Sequence, residues 1–222
     1  GIIDMLVLNN YTHLELAFGN GGLRFLLENM DLTVNGTPYK SENVKQAIMD
    51  GNATFAQNDG HGGSSAPNTC LTEADMNEIL DYAGSKGIGI IPLLNSPGHM
   101  NAVVSAIGAL RKESAGYPVS GVASNSTINI NDENVVAASK AIIQKYIDYF
   151  RGKCSYFNLG ADEFANDPSD NPQLGFNDKM KAGFIGYVNA VAEIISSANM
   201  TPMMFNDGYA WSDAEFNKDI VV

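Results

Sequence analysis

Four short apolar runs punctuate the chain, at residues 12–18, 88–94, 156–159 and 202–205, with long amphipathic stretches between them. From Thr72 to Lys86, Leu71, Met76, Ile79, Leu80 and Ala83 mark one apolar side at helical spacing, and Gly87 ends the pattern. The same spacing recurs in Val135, Ala138, Ile142, Ile143, Tyr146 and Ile147, behind the start signal Asn131-Asp132-Glu133-Asn134. Further helices are predicted over 102–110 and 179–198. Strand, helix, strand in this rhythm implies parallel strands joined by right-handed crossovers. The predicted fold class is therefore α/β, a (β/α)8 TIM-type barrel. Elsewhere the pattern predicts a helix tail over 2–9, a hairpin over 31–39 around Asn35-Gly36, and a short helix over 41–50. Loops are predicted over 52–70 and 113–125, and one more strand begins at 219–222. His13 falls inside the first strand and is expected in the core.

Polar groups collect where the strands end. Asn95 and His99 follow the second run, Asp162 and Glu163 the third, Asn206 and Asp207 the fourth. A barrel with its chemistry at one rim produces this regularity. Asp162 and Glu163 stand in Gly160-Ala161-Asp162-Glu163, directly after Tyr156-Phe157-Asn158-Leu159. Neighbouring residues of a strand point to opposite faces. Two acids that converge on one substrate therefore fit where strand gives way to loop. The pair also suits a helix start, with a capping Asp and a first-turn Glu. As chemistry, paired carboxylates mean acid–base work, and glycoside hydrolysis is the leading case. Adjacent acids suggest that one protonates a leaving oxygen while the other steers a group of the substrate. His99 follows the Pro97-Gly98 turn, where an imidazole could donate to a sugar hydroxyl. Trp211 and Tyr209 could stack on a pyranose face or simply cover the core.

Composition narrows the partners. Thirteen basic residues against 25 acidic ones give a net charge of -12. That balance disfavours nucleic acid and anionic membrane surfaces, and neutral carbohydrate tolerates it. No apolar run approaches the roughly 18 residues that a membrane span needs. The two cysteines, Cys70 and Cys154, form no metal-binding pattern, and no nucleophile elbow, phosphate loop or dinucleotide fingerprint is present. No metal or cofactor is expected. Gly1-Ile2-Ile3-Asp4 lacks the basic segment and cleavage site of a signal peptide, so the chain is expected to begin downstream of one.

Three motifs in order carry a family resemblance. Ile91-Pro92-Leu93-Leu94-Asn95-Ser96-Pro97-Gly98-His99 looks like a Pro-Glu-Ile-Asp-x-Pro-Gly-His stretch. Phe157-Asn158-Leu159-Gly160-Ala161-Asp162-Glu163 looks like His-Leu-Gly-Gly-Asp-Glu. Pro202-Met203-Met204-Phe205-Asn206-Asp207 looks like a strand ending Trp-Asp/Asn-Glu/Asp. Residues 8–24 add a similar early segment, with His13 and Arg24 in comparable places. Together these resemble glycoside hydrolase family 20, the β-N-acetylhexosaminidases, and are most similar to its bacterial surface exo-hexosaminidase branch. The resemblance implies substrate-assisted retention through an oxazolinium ion. Asp162 would hold the substrate's acetamido N–H, and Glu163 would protonate the leaving oxygen and then activate water. Asn95, His99, Asn206, Asp207, Tyr209, Trp211 and Arg24 would bind the sugar. The implied partners are glycans ending in N-acetylglucosamine or N-acetylgalactosamine, met outside the cell or at its surface. Departures from the pattern are Leu93 and Asn95 in place of Glu and Asp, Phe205 in place of Trp, and Phe18-Gly19-Asn20 where an Asp is usual.

A complete eight-stranded barrel takes about 250 residues, and only about five core strands are legible here. The expectation is a single catalytic barrel domain over residues 1–222, part of a longer chain. The resemblance would place the first strand before Gly1 and the last two after Val222. Open strand edges would favour self-association, and the isolated 222-residue chain is expected to be weakly active or inactive. The competing readings are a non-catalytic carbohydrate-binding relic on the same fold and a chitinase-like hydrolase, whose Asp-x-x-Asp-x-Asp-x-Glu signature is absent.

Overall fold

The computed structural model describes residues 1–58, 69–119, 121–164, 178–206 and 215–222. The elements run α1 (Ile2–Leu8), β1 (His13–Asn20), β2 (Gly22–Leu23), β3 (Leu32–Val34), β4 (Thr37–Tyr39), α2 (Ser41–Asn58), α3 (Glu73–Ser85), β5 (Gly89–Ser96) and α4 (Asn101–Arg111). Then follow β6 (Gly116–Val119), β7 (Val122–Ile128), α5 (Glu133–Phe150), β8 (Tyr156–Gly160), α6 (Asp178–Ser197) and β9 (Thr201–Met203). The main sheet has the order β2-β1-β5-β8-β9. β1, β5, β8 and β9 are parallel, and β2 folds back antiparallel on the end of β1. Val221 opens a further parallel bridge to Met203, so the sheet continues in chain order as a barrel wall does. Among the described residues, the far edge of β1 before Gly19 pairs with no strand.

Local chemistry sets the helix ends. Thr72 accepts the Asp75 N–H at 3.2 Å while the Asp75 carboxylate accepts the Thr72 N–H at 2.8 Å, a reciprocal cap that starts α3. Asp132 caps α5 by accepting from the N–H groups of Asn134 and Val135, at 3.0 and 3.3 Å. The α5 face predicted from spacing is the buried one, with Val135, Ala138, Ile142, Ile143, Tyr146, Ile147 and Phe150 all in the core. It lies against one side of the sheet, where Phe18, Phe25, Tyr146, Phe150 and Phe157 form one aromatic cluster. The Tyr146 hydroxyl is buried and donates to the Phe25 carbonyl at 2.5 Å. Leu14, Leu16 and Phe18 join the packed hydrophobic clusters, so strand alternation turns Glu15 and Ala17 to the opposite face.

Three expectations are corrected. Residues 113–125 are not a loop: Gly116–Val119 and Val122–Ile128 pair as a hairpin. Gly116 lets the two backbones meet, because a Cβ there would lie 1.8 Å from the Ser124 carbonyl oxygen. α2 runs to Asn58 rather than stopping near Asp50. Gly51 inside it gives α4 room, since a Cβ would lie 2.6 Å from the Ala102 carbonyl oxygen. Asn52 is buried because its amide bonds both the N–H and the carbonyl of Leu23, at 2.7 and 2.8 Å. Both residues resemble helix breakers until a tertiary partner explains them. His13 is exposed at the start of β1, edge-on to Tyr156, rather than in the core. Cys70 and Cys154 are free thiols.

Candidate active site

The rim at the carboxyl ends of β1, β5 and β8 gathers the polar residues. Asn95, next to last in β5, is 1% exposed. Its Nδ2 donates to Asp162 Oδ1 at 2.5 Å and to Asn20 Oδ1 at 3.2 Å. Its Oδ1 occupies the space that a side chain on residue 160 would fill, 2.0 Å from an ideal Cβ. Glycine at 160 is therefore a packing requirement as well as a conformational one, because its φ is +78°. Gly98 has a similar part: a Cβ there would approach the Asp162 carbonyl oxygen to 3.0 Å.

The turn that carries the two acids is strained. Ala161 and Glu163 have φ of +60° and +46°. Non-glycine residues in this region cost on the order of 1–3 kcal/mol each and persist where surrounding structure holds them. Four backbone and side-chain bonds do so. The Gly160 N–H donates to Asn158 Oδ1 at 2.8 Å, the Phe205 N–H donates to the Gly160 carbonyl at 2.8 Å, and the Ala161 N–H reaches the Ser96 carbonyl at 3.2 Å. Asn95 then holds Asp162. The outcome is that both carboxylates face one imidazole. His99 Nε2 is 3.0 Å from Glu163 Oε2 and 3.7 Å from Asp162 Oδ2. His99 is itself in the left-handed region, at φ +49°, and its carbonyl accepts the Gly21 N–H at 2.5 Å. The Asp162 side chain is 23% exposed and that of Glu163 47%, which leaves Glu163 the more open of the two.

Of the sequence-predicted residues, Asn95, His99, Asp162 and Glu163 come together here. Asn206 is exposed in the turn after β9, one residue beyond the Phe205–Gly160 bond. Arg24 stands just past β2, with its guanidinium over Gly22 and near Cys70. Burial pushes the Cys70 thiol up, against the Arg24 charge and the Asn52 amide. Asp207, Tyr209 and Trp211 lie outside the described residues. Sequence reasoning missed Asn20, which takes part in the network through Asn95. Its signal was its place at a strand end in Phe18-Gly19-Asn20, where the family pattern usually has an Asp. Among the described residues no group of three or more His, Cys, Asp or Glu could hold a metal ion, and no helix is long and apolar enough to cross a membrane.

Parallel strands wound in chain order, with paired acids at their carboxyl rim, put this chain among the TIM-barrel proteins that carry their chemistry on strand ends. The comparison with known families is narrower. Residues 10–222 match the catalytic domain of glycosyl hydrolase family 20, and the chain belongs to that family. Among solved structures it is similar to a catalytic module of pneumococcal StrH, an exo-β-D-N-acetylglucosaminidase, with a TM-score of 0.88 and 36% identity, over 99% of this chain and 52% of that one. The β-N-acetylhexosaminidase of Streptomyces coelicolor A3(2) shares the fold, with a TM-score of 0.65 at 20% identity over 99% of this chain and 37% of that one. Among curated proteins, Lacto-N-biosidase of Bifidobacterium bifidum is 28% identical over 168 residues, 68% of this chain and 14% of the relative. The chain thus spans about half of the StrH module structure and a small share of that curated relative.

Proposed function

We propose that the chain is catalytic core of an exo-acting, retaining β-N-acetylhexosaminidase, one barrel domain that releases terminal N-acetylhexosamine from glycans outside the cell or at a bacterial surface. The observation that carries this reading is the shared imidazole: one His99 nitrogen lies within 4 Å of both Asp162 and Glu163. Two acids on consecutive residues are thereby turned to the same side, where one bound sugar can meet both.

The substrate's own acetamido oxygen attacks the anomeric carbon as the glycosidic C–O bond breaks. Glu163 gives its proton to the departing oxygen. Asp162, fixed by Asn95, accepts the acetamido N–H and offsets the positive charge that develops on the oxazolinium ring. Water then attacks the anomeric carbon, giving up a proton to Glu163, and the ring opens with retained configuration. A nucleophile tethered within the substrate has little entropy left to lose, which is why this family departs from the usual two-carboxylate scheme. General-acid help is worth about 10²–10⁴-fold, roughly 3–5 kcal/mol of barrier. The unpaired edge of β1 supports a further proposal, that the isolated 222-residue chain self-associates.

The test is hydrolysis of N-acetylglucosaminides with good and poor leaving groups, alongside binding of a thiazoline that mimics the oxazolinium ion. Glu163→Gln should lose about 10²–10⁴-fold on the poor leaving group and much less on the good one. Near-normal rates on both would refute the assignment. Thiazoline binding without turnover by the unmutated chain would favour the carbohydrate-binding reading.

A further inference from the structure

We infer that Glu15 and Asn158 are a positioning pair that holds the carboxylate turn from beneath; the inference rests on Asp162 and Glu163 being the reacting acids. Glu15 is on β1 and Asn158 on β8, with β5 between them, and the two side chains meet across that strand on one face of the sheet. Asn158 Nδ2 donates to Glu15 Oε2 at 2.6 Å, while Asn158 Oδ1 accepts the Gly160 N–H at 2.8 Å. Neither bond is independent of the other. An ionised carboxylate only accepts, so it selects the NH2 side of the amide and leaves the oxygen to face Gly160. Without that selection the amide could rotate and present NH2 to the Gly160 N–H, two donors face to face.

Gly160 is where the strand ends and the left-handed turn begins. The register between β5 and β8 shifts at this level, between Leu93 and Ser96. A side chain of the same strand thus supplies the acceptor for the Gly160 N–H. The Gly160 carbonyl is held separately by Phe205. Freeing the N–H side of Gly160 lets Ala161 and Asp162 shift against Asn95 and His99, and a displacement of about 1 Å in such a site can cost about 10²-fold in rate. Asn158 is 2% exposed, whereas Glu15 is open on its strand, so a change at Glu15 leaves the buried packing untouched.

The experiment compares Glu15→Ala, Glu15→Gln and Asn158→Ala in the full chain. Backbone NMR hydrogen exchange at Gly160 is read beside kcat and KM on a chromogenic N-acetylglucosaminide. Exchange at Gly160 should speed at least tenfold in E15A and N158A, with the Ile143 amide in α5 unchanged. E15Q keeps an acceptor for Asn158 Nδ2 and should stay within about threefold of the wild type in every readout. In E15A kcat should fall 10- to 100-fold while KM stays within threefold, and an E15A/N158A double variant should be no worse than either single one. Unchanged Gly160 exchange in E15A overturns the inference whatever the activity, and so does an unchanged kcat in an active chain. If the wild-type chain shows no turnover, the exchange measurement decides the hold on Gly160 by itself; a chain that neither turns over the substrate nor binds the thiazoline refutes the proposed function instead.

Discussion

Gly160→Ala tests the packing of the site most directly. An added Cβ would lie 2.0 Å from Asn95 Oδ1, 2.4 Å from its Cγ and 2.8 Å from its Cα. The first two atoms could move only by carrying the Asn95 amide off Asp162, and the third is backbone. Alanine at φ +78° adds about 1–2 kcal/mol of conformational cost. Overpacking a tight site costs about 1–3 kcal/mol, and a lost hydrogen bond to a charged group about 1.5–3 kcal/mol. With some overlap among these effects, the expected destabilisation is about 4–5 kcal/mol. At about 2–4 °C per kcal/mol for a chain of this size, that is a fall of about 10–20 °C in Tm, followed by circular dichroism. Turnover should fall as well, because Asp162 loses its holder. Adding Asn95→Ala removes the Cγ and Oδ1 in the way, so the double variant should be less destabilised than the two single changes together, by about 1–2 kcal/mol. A Gly160→Ala protein that melts within about 3 °C of the wild type, or a double variant that is simply additive, would refute the reasoning.

Other sites give independent checks. Asp132→Ala removes the α5 cap and the 2.8 Å partner of Arg111, whose side chain is 5% exposed, and should cost about 2–4 kcal/mol in a denaturant melt. Burial pushes the Asp132 carboxyl up, but hydrogen bonds from Arg111 and from the N–H groups of Val135 and Asn134 outweigh it and hold the group below its usual value. A depressed folded value means stability that is complete above about pH 4 and is lost as pH falls through the folded value. The Tm gap between wild type and Asp132→Asn should therefore narrow in acid, and a gap that widens there would contradict the sign. Burial pushes the Cys154 thiol up to about 11. At pH 8 it should react with an aromatic disulfide far more slowly than a free thiol, and urea should release it; equal native and unfolded rates would be evidence against its burial. Tyr146→Phe leaves the Phe25 carbonyl without its buried donor and should cost about 1–3 kcal/mol in the same melt.

Much of this architecture is legible because period and capping are local. α3 starts at the Thr72 cap, α5 starts behind Asp132, and the buried face of α5 follows its apolar spacing. The rim residues were visible for the same reason, since Asn95, His99, Asp162 and Glu163 each follow an apolar run. What escaped local reading depends on partners far along the chain. Asn52 looks like a loop residue until Leu23, 29 positions away, takes both ends of its amide. The strand around Ser124, Asn125 and Ser126 has no apolar alternation, and its pairing with Gly116 is a matter of backbone clearance. His13 was expected inside because strand residues usually are, but it stands at the exposed entry to β1. The convergence of the two acids was the least readable feature of all. It depends on left-handed φ at Ala161 and Glu163, where the sequence offers no glycine to announce it.

The two register shifts near the rim also limit how such a site can change over generations. β1 gains a residue on β5 between Ala17 and Gly19, and β5 gains one on β8 between Leu93 and Ser96. Losing or adding one residue at either step would send every side chain beyond it to the opposite face of the sheet. Asn95 would then point at the helices, and Asp162 would be left without its neighbour. Descendants of this sequence can exchange side chains along these strands, but their spacing is inherited as a fixed ruler.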